Sequence, residues 1–405
     1  MTAPTSEGRF GRRGLLGAVG ATGGAALLAA GLTGCNRDTP DEPDPAQPRG
    51  RTWSPHGEHQ GGITTPVPAA TSVVAFDLRA GATADHLRRL LRLWSADIEA
   101  LMAGRPLLAD PMPDMAQPGV SLSVTVGLGL GVFDLQGLRD KRPAALAELP
   151  SFSHDALLPQ WSGGNLVVII GADDATTVGY AQRVLTRDAA TFATPRWVQD
   201  GHWRGTDASG RPVTGRNLFG QVDGTGNVVA KAHEAIWSPD PPEWFAGGTT
   251  LVVRRIEMNL TTWDRLVRER QEKVIGRTLA TGAPLGGDRE MQDLDLDAKD
   301  ATGRPLIALD AHARLAHPSQ NGGRTMLRRA VNYTHVESGE SGPRSSAGLV
   351  FMSFQSSIAE VFTPIQTTLD EGDALNEWTT AIGSAVFAMP GGFEAGGMIA
   401  EKLFA

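Results

Sequence analysis

The feature that most constrains this chain is a hydrophobic periodicity that switches between two and 3.6 residues in the same order twice. SVVAFDL (72–78) and SLSVTVGLG (121–129) read as strands, and NLVVIIGAD (165–173), apolar throughout, reads as a fully buried one. ADHLRRLLRLWSADIEALMAG (84–104) and TTVGYAQRVLTRDAATF carry apolar residues at helical spacing, and RWVQDGHWRG reads as an edge strand. That order, β-α-β-β-α-β, is the ferredoxin-like arrangement. The second half repeats it. TTLVVRRIEMNL (249–260) is expected to be a strand and TTWDRLVRERQEKVIG (261–276) an amphipathic helix, followed by a long insertion. RTMLRRAVNY and GLVFMSFQS are then expected as strands, IAEVFTPIQTTL and ALNEWTTAIGS as helices, and SAVFAMPGG as the last strand. The fold class that follows is α+β, two ferredoxin-like units with antiparallel sheets.

At 405 residues the chain is long enough for two cores. The net charge of −8 and the lack of a basic tract in the folded part argue against nucleic acid as a partner. One cysteine excludes a disulfide framework and the CxxCH attachment of c-type haem. That cysteine, Cys35, ends a Gly/Ala-rich apolar run beginning at Gly14, just after Arg12 and Arg13. Twin arginines before such a run resemble a Tat export signal, and LTGC resembles a lipobox, so Cys35 is the expected lipidation site. The alternative is an uncleaved anchor, since about 20 apolar residues can span a bilayer. Residues 36–62, rich in Pro, Asp, Glu and Arg, are expected to form a flexible tether. The expected organisation is a signal peptide (1–34), a linker (35–62), an N-terminal ferredoxin-like domain (63–214) and a C-terminal one (215–405).

The chemistry concentrates in ALDAHARLAHPSQNGGRTMLRRAVNY, residues 308–333. His312 sits on an expected helical turn, and Arg328 on the strand that follows. A neutral imidazole can bind a metal or a haem iron, and an arginine keeps its charge at any working pH. A single histidine is more often simply hydrogen-bonded, and GQVDGTGN, read alone, is a tight turn with its aspartate bonded to its own backbone.

Together, DAHARLAHP, NGGRTMLRR and the GxxDG run Gly220-Gln221-Val222-Asp223-Gly224 resemble the dye-decolourising peroxidases. HQGGITTP, LVVRRIEMNLTTWDRL, IGRTLATGAPLGG, GLVFMSF and DALNEW extend that similarity over nearly the whole chain after the leader. The resemblance implies one non-covalent haem b in the C-terminal half, with His312 as proximal iron ligand and Asp223 and Arg328 as the catalytic pair. It implies haem contacts from Gly224, Thr225, Gly226, His317, Pro318, Ser319, Arg328, Leu349 and Phe351, with Arg329 turned to the opposite strand face. Asp373 is the expected carboxylate partner of His312, because a ligating imidazole usually donates its other N–H. Gln221 departs from the family, where an aromatic is common, and Trp378 stands where a tyrosine is expected. Trp378 reads either as a radical relay or as core, and His56, His59 and His202 as solvated or structural.

The implied activity is reduction of hydrogen peroxide, through an oxyferryl haem, at the expense of dyes, phenols or other one-electron donors. The leader is similar to that of an exported subfamily, some of whose members accompany iron-uptake systems. Two alternatives stand beside the peroxidase: a deferrochelatase releasing iron from haem, and a non-enzymatic haem- or metal-trafficking lipoprotein with iron-uptake or copper-protein partners. A mere carrier needs the iron ligand but no distal acid–base pair.

Overall fold

In the computed structural model, residues 50–405 are described, apart from 109, 228–232 and 340–341. Arg12, Arg13, Cys35 and the first part of the expected tether lie outside the described residues. The first unit runs β1 (Ala70–Leu78), α1 (Ala84–Met102), β2 (Ser123–Gly129), β3 (Leu166–Ala172), α2 (Ala175–Ala189) and β4 (Ala193–His202). The second contains α3 (His233–Ile236), β5 (Thr249–Met258), α4 (Leu260–Trp263), α5 (Arg268–Ile275), α6 (His312–Leu315), β6 (Leu327–Arg328), β7 (Val331–Gly339), β8 (Gly342–Gln355), α7 (Thr363–Gly372) and β9 (Thr379–Met389).

Strand order shows the repeat directly. The first unit pairs β2-β3-β1-β4 and the second β7-β8-β5-β9, the same antiparallel ferredoxin-like order in each. The two sheets then join edge to edge. Leu128 and Gly129 of β2 pair with Ala388 and Phe387 of β9, and His202 of β4 pairs with Asn332 of β7. With β8 also on β5, the ladder returns to its start.

Period-two alternation divides the side chains between two cores. Val74, Phe76, Val124, Val168 and Ile170 face Leu87, Leu90, Leu91, Trp94 and Ile98 of α1, whose spacing makes one apolar stripe. Trp94 also donates its indole N–H to Leu185 O of α2, at 2.9 Å. Val73, Ala75, Val167 and Ile169 point the other way, inside the closed ladder, with Leu251, Val253, Val350, Met352 and Phe387. Both helices have side-chain caps. Thr83 and His86 form a reciprocal box on α1, and Asp174 accepts from Thr177 N on α2.

Several segments differ from the sequence expectation. ALNEWTTAIGS is not a helix: only Ala374–Glu377 makes a 3-10 turn, and β9 begins at Thr379. Thr379, Thr380 and Ala381 pair with Met258, Glu257 and Ile256, so the edge of β5 takes the segment that local spacing assigned to a helix. Residues 261–276 form two short helices rather than one, because Trp263 turns inward against Phe219 and Trp378 and Gln271 Nε2 closes the broken end on Trp263 O. RTMLRRAVNY breaks between β6 and β7, although Arg329 N still donates to Met352 O. β4 is an edge only until His202, where it meets β7.

The expected tether is also shorter than 36–62. Ser121 N donates to Arg51 O, His56 Nε2 lies 2.9 Å from Glu99, and the His59 ring stacks 3.5 Å from Trp237. Gln60 is buried. Its amide accepts from Val126 N at 2.9 Å and donates to Val126 O at 2.8 Å and to Pro390 O at 2.9 Å. It thus completes the edge of β2 just where β9 stops pairing. Among the described residues, no helix is long and apolar enough to cross a membrane.

Gln60→Ala would strand the buried Val126 N–H and C=O together. We expect a loss of roughly 2–4 kcal/mol, read as a lower urea midpoint with an unchanged slope. An unchanged midpoint would show that this amide does not hold the sheet edge.

Candidate active site

The GQVDGTGN segment folds as a small hairpin followed by a second turn. Arg216 and Val222 bridge, and Gly220 N donates to Asn217 O, so the tight turn falls on residues 217–220 rather than on Asp223-Gly224. The Arg216 guanidinium fixes the hairpin through Gly220 O (2.7 Å), Leu279 O (2.5 Å) and Ala280 O (2.8 Å). Asp223 leaves it with N bonded to Gly215 O and Oδ2 accepting from Asn217 Nδ2 at 3.1 Å. Gln221 is buried beside it, its Oε1 accepting from Asn217 at 2.6 Å.

Arg328 meets this aspartate from β6, 105 residues away in sequence. Its Nη1 donates to Asp223 Oδ1 at 3.2 Å and its Nη2 to Thr225 O at 3.0 Å. Its backbone is held too, because the Asn227 amide accepts from Arg328 N (2.9 Å) and donates to Arg328 O (2.8 Å). Arg329 points elsewhere: it is buried and donates to Thr65 O and Pro66 O. Burial pulls its guanidinium down to about 10.

His312 opens α6. Its Nδ1 lies 2.5 Å from Asp373 Oδ2, and the other Asp373 oxygen accepts from Leu375 N at 2.9 Å. One carboxylate therefore both caps the turn after α7 and fixes the imidazole. Burial disfavours the imidazolium, but the charge of Asp373 and its hydrogen bond outweigh that, and the group lies above its ordinary pKa. The charges of Arg328, which lowers that pKa, and of Asp223, which raises it, also act on the ring. With a nearly buried carboxylate on Nδ1, that nitrogen carries the proton. Nε2 makes no hydrogen bond to the described residues, and about 31% of the side chain is exposed.

His317 differs. Its Nε2 contacts Asp293 Oδ1 at 2.9 Å and its Nδ1 Ser319 Oγ at 2.8 Å, so both nitrogens are engaged. Pro318 and Ser319 form the 3-10 turn that it caps. Leu349 is buried inside the ladder opposite Ile256, and Phe351, opposite Arg254, is half-buried with its ring 6.5 Å from Phe362. Gly224 lines the cavity described next, while Gly226 takes a left-handed φ of 68°. Trp378 is core, edge-on to Trp263 at 5.3 Å.

A cavity of about 400 Å³ opens onto Asp223, Gly224, Asn227 and Arg328, between segments of both units. Sequence reasoning did not single out Asn217 and Asn227, which position the pair, although both stand in the quoted RNLFGQVDGTGN run. It also passed over Arg277, partly buried and donating to Gly282 O and Glu290 O, whose pKa is lowered by burial and further by the like charge of Arg328.

Two family models cover most of the described chain: Dyp-type peroxidase, N-terminal, over residues 60–203, and Dyp-type peroxidase, C-terminal, over 214–394. A dye-decolorizing peroxidase of Thermobifida fusca is 40% identical over 82% of this chain and 80% of its own length. A deferrochelatase of Escherichia coli K12 is 32% identical over 83% of each. The crystal structure of a DyP-type peroxidase from Cellulomonas bogoriensis superposes with a TM-score of 0.83 at 46% identity, covering 88% of this chain and 99% of that one. Ferric DtpA from Streptomyces lividans gives 0.83 at 41%, covering 88% and 98%. The repeated fold, the site geometry and these relatives agree: the chain belongs to the Dyp-type peroxidase family.

Proposed function

We propose that this protein is a haem b peroxidase that reduces hydrogen peroxide and oxidises dyes, phenols or other one-electron donors. The observation that carries the reading is the donor set. His312 has Nδ1 fixed on Asp373 and Nε2 available, in electrostatic reach of an aspartate–arginine pair. Such an imidazole suits a haem iron, since the carboxylate partner sets the tautomer and raises ligand basicity. Haem, when bound, supplies the redox-active iron at which peroxide is reduced. Asp223 has the position and spare acceptor capacity to take a proton from one peroxide oxygen and return it to the other. Arg328 holds a fixed positive charge where negative charge develops as the O–O bond breaks. Asn217 and Asn227 keep that pair in register. Gly224, Thr225, Gly226, His317, Pro318, Ser319, Leu349 and Phe351 are proposed to border the haem, on the strength of the family resemblance.

The distal pair favours peroxidase turnover over simple haem carriage. Deferrochelatase action, named for the Escherichia coli relative, is the second reading of the same site. We further propose export by the Tat route and lipid attachment at Cys35, supported by the leader sequence. Iron-uptake or copper proteins at that membrane are the proposed partners, on the resemblance to the exported subfamily.

His312→Ala should lose most bound haem, and His317→Ala should keep it; haem content per chain, from the Soret absorbance, checks both. Asp223→Asn and Arg328→Leu should each keep haem yet slow the spectral change on mixing with peroxide, by about 10²-fold or more. Wild-type rates in both variants would remove the distal assignment. Changing Arg12 and Arg13 together to Lys should keep the protein in the cytoplasm, while Cys35→Ser should lose membrane retention after export. Unchanged membrane attachment of the Cys35 variant would favour an uncleaved anchor.

A further inference from the structure

Arg329 is a buried guanidinium with no carboxylate beside it. The residue is 7% exposed, and its hydrogen-bond partners are two backbone carbonyls, Thr65 O and, at 3.5 Å, Pro66 O. A guanidinium carries five N–H donors, so donors remain, and carbonyl dipoles do not cancel a whole charge. Burial lowers its pKa, and no carboxylate acts to raise it. A cation buried in this way is ordinarily paired with an anion.

A second unsatisfied donor lies on the same wall. Arg329 lines a small cavity at the seam where β1, β2 and β3 meet β7 and β8. Thr71 of β1 lines it too. That residue is 3% exposed, and its hydroxyl has no hydrogen-bond partner among the described residues. Thr125 and Ser123 are the other hydroxyls there, donating to Gly61 O at 2.7 Å and to Gly171 O at 3.5 Å. The longer of these bonds is weak, so the Ser123 O–H is free to turn. Val67, Ile169, Val331 and Met352 make the rest of the wall apolar, and no acidic side chain lines it. The cavity offers about 10 Å³ to the centre of a water-sized particle, room for one such particle.

A buried cation, free hydroxyl donors and room for one particle specify a monatomic anion. We propose that this cavity is a chloride site, in which the ion accepts from the Arg329 guanidinium and Thr71 Oγ1 and neutralises the charge buried there. Sulfate, phosphate and free carboxylates are too large for it. A water would accept the same bonds but leave the charge uncompensated. The apolar walls favour chloride over fluoride, which gives up its hydration more reluctantly. None of Asp223, Arg328 and His312 lines this cavity, so the inference is independent of the peroxidase reading. Its consequence is structural. Arg329 holds the HQGGITTP segment through Thr65 and Pro66, and chloride would strengthen that attachment.

Bromide is a heavier stand-in for chloride that anomalous scattering locates directly. The haem-loaded protein would be crystallised with sodium bromide and measured at the bromine edge. In parallel, its thermal midpoint would be followed as chloride replaces gluconate at constant ionic strength. The expected results are a bromide peak in contact with the Arg329 guanidinium and Thr71 Oγ1, and a midpoint that climbs with chloride. Thr71→Val keeps the shape and removes one donor. It should weaken the apparent chloride affinity about tenfold or more, the loss of one hydrogen bond to a charged group. Arg329→Met should abolish the chloride dependence. If that variant does not fold, Thr71→Val still decides the question. Halide at the haem iron is a separate event, which moves the Soret band and does not respond to Thr71→Val. Bromide found only at the iron or on the surface, with water beside Arg329, would overturn the proposal. So would a midpoint indifferent to chloride, or full chloride dependence in Thr71→Val.

Discussion

The structure depends on closing the edges of two antiparallel sheets upon one another. Each ferredoxin-like unit ends in strands whose outer N–H and C=O groups need partners. The joins are thin: two residue pairs between β2 and β9, and one between β4 and β7. Side-chain amides serve where strands run out. Gln60 presents its N–H and C=O to Val126 as a neighbouring strand would, and Asn227 does the same for Arg328. The second of these amides has a functional consequence, because it fixes the backbone of the residue that meets Asp223.

Charge inside this ladder is handled in three different ways. Arg255, buried within it, lies between the rings of Trp161 and Tyr333, 4.1 and 4.3 Å from their centroids, with Gln199 on Nε. Arg329 donates to backbone carbonyls of the HQGGITTP segment, so that segment is tied to the strand carrying the site. Arg328 combines a carboxylate partner, Asp223, with partial exposure, 28% of its side chain. A guanidinium that is desolvated but not sealed can act on a small polar reactant, whereas the other two are buried. Neighbours in sequence, Arg328 and Arg329, thus do different work because a strand turns alternate side chains to opposite faces.

Much of this was legible beforehand. The repeated order of periodicities, the stripe of α1 and the alternating strands need only local spacing, and the structure keeps them. The family resemblance pointed to His312, Asp223, Arg328 and Asp373, and folding brings the first with the last, and the second with the third, into hydrogen-bond contact. What failed was local preference against long-range pairing. Residues 379–384 took the edge of β5 because a buried ladder outweighs a few residues of helical spacing. Residues 51–62, polar and proline-rich, were expected to be free, yet ring stacking at His59 and the buried Gln60 hold them in place.

The sequence by itself determined most of the elements, their duplicated order and the kinds of group available for chemistry, since these follow from spacing and side-chain type. Only the tertiary structure decided which of two histidines in one short stretch is spoken for. His317 spends both nitrogens on Asp293 and Ser319, while His312 spends one on Asp373. It also decided that the cavity above Asp223 would be walled by Trp53 and Trp203, residues from opposite ends of the first unit. Hydrogen-bond saturation and cavity walls depend on contacts between residues far apart in the chain, and no local pattern encodes those.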